Sequence, residues 1–268
     1  MNLVVIPARY GSSRFPGKPL AQVRGTSMLQ RVWALVRAGA PEARILVATD
    51  DARIAAHAVA FGAEAIMTSD SVANGTERAA AVLAALDDEA LSFIVNLQGD
   101  AVLTPPWVIS AMIEAGRSGI DMVTPATVMS APAAEALRAA KARGEVGGTT
   151  VVFDREGRAL YFSKSIIPFV RPGGAPVALH RHIGLYGYRP DVLRRLVSLP
   201  PGPLEQAEQL EQLRALENGI PIQVVTVDYR GRTHWGVDTP EDLARCEALI
   251  DAEGELLTAY DGSGRVAA

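Results

Sequence analysis

Apolar residues along the chain follow two alternating rhythms. Short, nearly continuous β-branched runs, such as "LVVIPA" near the start and "RILVATD" from residue 44, give way to Ala/Leu-rich stretches with helical spacing. The first such stretch, "SMLQRVWALVRAG", places Met28, Leu29, Val32, Leu35 and Val36 on one face. "DARIAAHAVAFG" predicts the next helix and "EAIMT" a third strand. "GTERAAAVLAALDD" reads as a helix entered through Asn74-Gly75-Thr76, which is good capping chemistry. "FIVNLQGD" is a fourth strand, "PPWVISAMIEAGRSG" a helix opened by proline, and "IDMVTPATV" a fifth strand. Alternating strands and helices with unbroken apolar strands predict an α/β fold, its mainly parallel central sheet covered on both faces.

After about residue 130 the pattern changes. "APAAEALRAAKARG" is helical, and "TTVVFDREGRALYFS" reads as two strands joined at Asp154–Gly157. The Pro/Gly-rich "IIPFVRPGGAPVA" is a loop leading to "HRHIGLYGY", a further strand. "PLEQAEQLEQLRALENG" reads as one amphipathic helix with Leu204, Leu210, Leu213 and Leu216 on one side and Gly219 as its stop. "IPIQVVTVD" is a strand, and "TPEDLARCEALID" a helix with a Thr cap. This divides the chain into a nucleotide-binding portion (1–130), a mixed α/β portion that returns to the core sheet (131–250) and a flexible tail (251–268).

Composition narrows the function. The 268 residues are 49% hydrophobic and 21% charged, ordinary globular proportions with ample material for a core. A formal net charge of −4 carries no electrostatic footprint for nucleic acid or an anionic membrane. Cys246 is the sole cysteine, which excludes an intramolecular disulfide and a Cys-based zinc cage and points to a cytoplasmic setting. No apolar stretch has membrane-spanning length, and "MNLVVIPAR" is too short in its apolar part for a secretion signal.

Positive charge is therefore local, and it gathers where the first strand ends. "PARYGSSRFPGKP" sets Arg9, Arg14 and Lys18 among Gly and Pro residues that shape the backbone, an arrangement suited to a triphosphate. The loop has no GxxxxGK[ST] pattern, so it is not a Walker A loop, and no GxGxxG follows the strand. Ligands of open parallel sheets bind beyond the carboxyl ends of the strands. Asp100 in "NLQGD" and Asp238 in "HWGVDTPEDL" are candidates there to hold magnesium, although each also lies where an aspartate serves a turn or helix start. Arg78 in "NGTER" adds a cation near the same edge, with site and surface roles evenly weighted. His180, His182 and Tyr186 fall on one strand face with Arg181 on the other, either an edge strand with a solvated face or a wall for a polyhydroxylated acid.

Seven motifs follow one another in order along the chain. "VVIPARYGSSRFPGKPL", "NGTER", "VNLQGD", "ALYFSKSIIP", "RHIGLYGYRPDVL", "PLEQAEQLEQLRALENG" and "GVDTPEDLAR" resemble those of the 3-deoxy-manno-octulosonate (Kdo) cytidylyltransferases, the CMP-Kdo synthetases, from about residue 3 to 248. The resemblance implies a Rossmann-like, glycosyltransferase-A-like nucleotidyltransferase. It would work as a cytoplasmic homodimer with Mg²⁺, CTP and a sugar acid, activating a sugar for lipopolysaccharide. It further implies that Arg9, Arg14 and Lys18 hold the triphosphate, that Ala8, Gly75 and Gln98 contact the nucleotide, and that Asp100 and Asp238 bind the metal. Arg78, Lys164, His182, Tyr186, Glu211 and Gln212 match positions lining the sugar-acid pocket.

Three departures stand out. Ala101-Val102 follow Gly99-Asp100 where the family usually reads QGDEP, Lys164 replaces the Arg of YFSR, and Thr149-Thr150 stand where a Val-Lys pair is common. A lysine is not equivalent to arginine where two parallel hydrogen bonds are needed. With the phosphate end intact and the acceptor end altered, the expected acceptor is Kdo or a modified 3-deoxy-2-ulosonic acid. A different acid acceptor, such as a nonulosonate or a phosphonate, and a non-catalytic nucleotide-binding protein are the rival readings.

Overall fold

The computed structural model describes residues 1–11, 14–171, 173–175 and 177–257. Of the expected flexible tail (251–268), residues 251–253 complete a helix and residues 258–268, together with Ser12, Ser13, Pro172 and Pro176 of the two expected loops, lie outside the described residues. The chain forms two compact units, one of Met1–Glu114 with the chain from Tyr229 onward, the other of Ala115–Asp228. In chain order the first unit contains β1 (Asn2–Ala8), β2 (Gln22–Val23), β3 (Thr26–Ser27), α1 (Met28–Gly39), β4 (Arg44–Thr49), α2 (Ala52–Ala60), β5 (Glu64–Met67), α3 (Gly75–Leu86), β6 (Phe93–Asn96) and all but the last three residues of α4 (Pro106–Arg117). The second contains β7 (Met122–Val128), α5 (Ala131–Ala142), β8 (Thr150–Phe153), β9 (Ala159–Ser163), β10 (His180–His182), β11 (Tyr186–Tyr188), α6 (Pro190–Ser198), α7 (Pro203–Glu208), α8 (Gln212–Glu217) and β12 (Ile222–Thr226). Helix α9 (Pro240–Glu253) belongs to the first unit.

In the first unit the sheet runs β5-β4-β1-β6, every pairing parallel, with Val5 opposite Asn96 and Ile6 opposite Val47. Leu3, Val4, Val5 and Ile6 are all completely buried, so both faces of β1 are covered, as its unbroken apolar run requires. Each such side chain contributes roughly 1.5–3 kcal/mol relative to exposure. Helix α1 buries Met28, Leu29, Val32, Leu35 and Val36, the predicted stripe, and starts where Ser27 Oγ accepts the Gln30 N–H. Asn74 caps α3 by accepting the Glu77 N–H, and Thr239 with Asp242 forms a capping box on α9. Sequence reading missed the β2–β3 hairpin. Its turn residues Arg24 and Gly25 have φ of 51° and 76°, as a type I′ turn demands, but Arg-Gly is a weaker signal for that turn than Asn-Gly.

In the second unit β7 is the hub. It pairs antiparallel with β10 and with β11, and parallel with β12, while β8 joins β10 and forms a hairpin with β9. The expected single strand "HRHIGLYGY" is two strands. Its register on β7 changes from His182 opposite Ala126 to Gly187 opposite Val123, and Pro125 at the break has no N–H to offer the ladder. The intervening backbone is tied down elsewhere: Ile183 N–H donates to Pro125 O at 3.0 Å, and Thr124 Oγ1 lies 2.8 Å from Leu185 O.

The expected single helix over 203–219 is likewise two, α7 and α8, separated at Gln209 with φ 54°. Leu204, predicted on the buried side, is 41% exposed, whereas Leu210 and Leu213 are buried. The bend lets buried Arg214 grip Glu205 through two hydrogen bonds of 2.6 and 2.8 Å, and leaves Glu208 free to accept from Ser163 Oγ and Lys164 N–H. Helix α6, not anticipated from the sequence, buries Val192, Leu193 and Leu196. No helix among the described residues is long and apolar enough to cross a membrane.

Candidate active site

The parallel strands of the first unit end at one edge, and the chain after each supplies chemistry. Past β1 come Arg9, Arg14 and Lys18; past β6 come Gln98, Gly99 and Asp100; α3 begins there with Asn74 and Gly75. These groups line a cavity of about 350 Å³, together with Pro7, Ala8, Arg78 and Asp238. Every residue expected at the triphosphate, the nucleotide and the metal is therefore in one place.

Its electrostatic centre is Lys18. Its ammonium donates to Asp100 Oδ2 at 2.9 Å, to Asp238 Oδ1 at 3.3 Å and to the Val237 carbonyl at 2.8 Å. Arg14 Nη2 reaches Asp238 Oδ2 at 3.1 Å. Two carboxylates and two cations from distant parts of the chain thus converge, with Arg9 exposed on the cavity wall. The tight turn that carries Asp100 is closed by Ala101 N–H donating to Gln98 O at 3.0 Å. Glycine is required within it, because a Cβ on Gly99 would stand 2.8 Å from Pro7 O. A Cβ on Gly75 would meet the Gln98 amide at 3.0 Å, so the start of α3 presses on the cavity floor. The amino end of a helix favours anions.

Arg78 is 3% exposed and lines this same cavity, its guanidinium donating to Asp50 Oδ2 at 2.8 Å and to Thr68 Oγ1. Asp50, at the end of β4, went unnoticed in the sequence, although its signal was the one that marked Asp100: a carboxylate just past an apolar strand.

The remaining predicted residues lie in the second unit. Tyr186 Oη donates to Gln212 Oε1 at 2.9 Å, and the His182 and Tyr186 rings are 5.6 Å apart. Burial holds the Tyr186 phenol well above its ordinary pKa. His182 is buried with Nε2 2.9 Å from Thr124 Oγ1. Thr124 has one hydroxyl proton; giving it to Leu185 O leaves its oxygen to accept from His182 Nε2–H. Gln212 is 3% exposed, and its Nε2 has no protein partner among the described residues. Glu211 stands at the start of α8, and its charge adds to the upward shift at Tyr186.

Lys164 is anchored through its backbone N–H to Glu208 Oε2 at 2.7 Å. Thr150 is completely buried; its Oγ1 donates to Ser165 O at 2.7 Å and accepts from Ile167 N–H at 3.1 Å, tying down the chain after β9. Among the described residues no cluster of three or more His, Cys, Asp or Glu is placed to hold a metal.

A family model described as Cytidylyltransferase matches residues 3–223. The 3-deoxy-manno-octulosonate cytidylyltransferase of Maricaulis maris (strain MCS10) is 52% identical over 257 residues, covering 95% of this chain and 99% of the relative. That of Syntrophotalea carbinolica is 46% identical over 92% of this chain and 97% of the relative. A solved structure of CMP:2-keto-3-deoxy-manno-octonic acid synthetase complexed with CTP is 36% identical, with a TM-score of 0.82 over 94% of this chain and 99% of that one. A cytidylyltransferase structure from Leptospira borgpetersenii, 17% identical with a TM-score of 0.57, shares the fold. The fold is thus that of a Rossmann-like nucleotidyltransferase, and the chain belongs to the 3-deoxy-manno-octulosonate cytidylyltransferase family.

Proposed function

We propose that the protein transfers CMP from CTP to the anomeric hydroxyl of a 3-deoxy-2-ulosonic acid, Kdo or a close relative, releasing pyrophosphate. The observation that carries this reading is the meeting of Arg14, Lys18, Asp100 and Asp238 in one cavity. Such a set suits a polyphosphate that brings a divalent cation with it.

The residues fit magnesium. Mg²⁺ is usually held by one or two carboxylates plus substrate phosphates, and Asp100 and Asp238 are two hard oxygen donors bridged by a single ammonium. When bound, the ion would neutralise charge on the α-phosphate and favour ionisation of the attacking hydroxyl. Arg9, Arg14 and Lys18 would hold the β- and γ-phosphates and stabilise the departing pyrophosphate. On this reading Lys18 exchanges its carboxylate partners for phosphate oxygens when nucleotide and metal arrive. Ala8, Gly75 and Gln98 would position the nucleoside. Arg78, held by Asp50, would present fixed N–H donors from a locally neutral pair. His182, Tyr186, Glu211, Gln212 and Lys164 would hold the sugar acid, the orphaned Gln212 Nε2 donating to one of its oxygens. Positioning and charge neutralisation supply the rate, since the protein forms no bond to the phosphorus.

The protein is further proposed to act as a homodimer in the cytoplasm. The second unit exposes Leu160 at 62%, Phe169 at 82% and Val146 at 75%, large apolar side chains that an interface would cover.

The test is pyrophosphate release with CTP and Mg²⁺, with Kdo in one series and its amino and deoxy analogues, a nonulosonate and a phosphonate in others. Turnover of Kdo makes Ala101, Thr150 and Lys164 tolerated changes, and turnover of an analogue alone makes them determinants. CTP binding without release from any acid would overturn the catalytic reading.

A further inference from the structure

The loop that carries Arg9, Arg14 and Lys18 is closed by Tyr10, and Tyr10 is backed by a side chain the reaction does not use. The Arg53 guanidinium, in the first turn of α2, lies over the Tyr10 ring with its Cζ 3.5 Å from the centroid. Asp51 grips the same guanidinium by its edge, Oδ1 accepting from Nε at 3.0 Å and Oδ2 from Nη2 at 2.6 Å. Face and edge of the planar cation are thus both engaged, which fixes its orientation. Arg53's hydrogen bond holds the Asp51 carboxyl down at about 2, so both partners stay charged throughout the neutral range.

Tyr10 in turn fixes the far end of the loop. Gly17 N–H donates to Tyr10 O at 3.0 Å. Gly17 itself has φ 70°, and a Cβ there would come within 3.1 Å of the Tyr10 ring, so the ring packs directly on the glycine backbone. Residues 10 and 17 are held together by a backbone hydrogen bond and by this contact; Arg14 lies between them, and Arg9 and Lys18 flank them. The Arg53 side chain is 60% exposed, so the stack buries little and global stability does not require it.

We propose that Tyr10 and Arg53 are positioning residues for the polyphosphate, their stack setting where Arg14 and Lys18 present their charges. The ligand rests on the nucleotide reading above; the clamp's geometry does not.

The experiment compares Arg53→Ala, Tyr10→Ala and Tyr10→Phe with the unaltered protein. KM for CTP, KM for the sugar acid, kcat and Tm are measured, with hydrogen exchange at the Gly17 amide in ligand-free protein. Both alanine variants are expected to raise KM for CTP about tenfold, with kcat within about twofold and the sugar-acid KM and Tm unchanged. Gly17 exchange should quicken by a similar factor, while Tyr10→Phe, which keeps the ring, behaves as the unaltered protein. Unchanged Gly17 exchange in both alanine variants overturns the clamp. Faster exchange with an unchanged KM for CTP overturns its positioning role. If the unaltered protein does not use CTP at all, the nucleotide reading falls, and the exchange data still decide the clamp.

Discussion

The Lys18 ammonium stands 2.9 Å from Asp100 Oδ2, and the same nitrogen reaches Asp238 at 3.3 Å. Lys18 thereby keeps two like charges compatible before substrate arrives. On the proposed reading, Asp100 and Asp238 would hold a divalent cation and Lys18 would turn to phosphate oxygens. Asp100→Asn removes half of the proposed metal site without disturbing packing, since its side chain is 30% exposed. Turnover should fall about a thousandfold or more, with an unchanged melting curve. Pyrophosphate release near the unaltered rate would refute the metal assignment.

The backbone beside Asp100 is as demanding as its charge. Gly99→Ala brings a Cβ to 2.8 Å from Pro7 O, a contact that only backbone movement relieves. The cost should be about 1–3 kcal/mol in denaturant melts, with a loss of activity because Asp100 moves too. Gly236→Ala, where the new Cβ has no neighbour within 4 Å, serves as the silent control.

Cys246 is completely buried in α9, and its burial pushes the thiol up to about 11. A disulfide-exchange reagent at pH 8 should therefore leave the native protein unlabelled and react fully after denaturation. Fast labelling of the native state would show that α9 opens locally.

In the second unit, Tyr186→Phe removes the only protein hydrogen bond made to the Gln212 side-chain amide among the described residues. Leaving that buried acceptor empty should cost about 1–3 kcal/mol. Adding Gln212→Leu should recover most of the loss, because an apolar pair asks for no partner. Equal or additive losses in the double variant would contradict the pairing.

Burial lowers the pKa of His180, whose ring packs on Phe153 at 4.7 Å between centroids. The unfolded chain then binds the proton more readily than the native one, so stability falls as pH drops through about 6.5. His180→Phe should flatten that part of the stability–pH curve, read as the change in denaturation midpoint between pH 7.5 and 5.5.

Much of this fold is written locally. The buried runs of β1, β4 and β6, the stripe of α1, and the caps at Ser27, Asn74 and Thr239 all follow from neighbours a few residues apart. Backbone sterics and side-chain-to-backbone hydrogen bonds set them almost regardless of the rest of the chain. The cationic loop and Asp100 were legible for a related reason: parallel strands send their carboxyl ends to one edge, so polar residues just past them have one place to go. Asp238, expected there too, lies just before α9 rather than past a strand, and only the tertiary fold brings it to that edge.

Where distant segments compete, local pattern loses. Pro125 and Thr124 on β7 split a run that alternates well enough for one strand, and the Arg214–Glu205 pair accompanies a bend in what reads as one helix. Arg31, polar and placed mid-helix, is 1% exposed because Glu255 meets it there. Likewise, Lys18 finds its carboxylates 82 and 220 residues away. Periodicity and turn chemistry specify dihedral angles and which face is apolar. Which buried charges find each other depends on chain closure and on desolvation that only a partner can offset, and neither is encoded within a window of sequence.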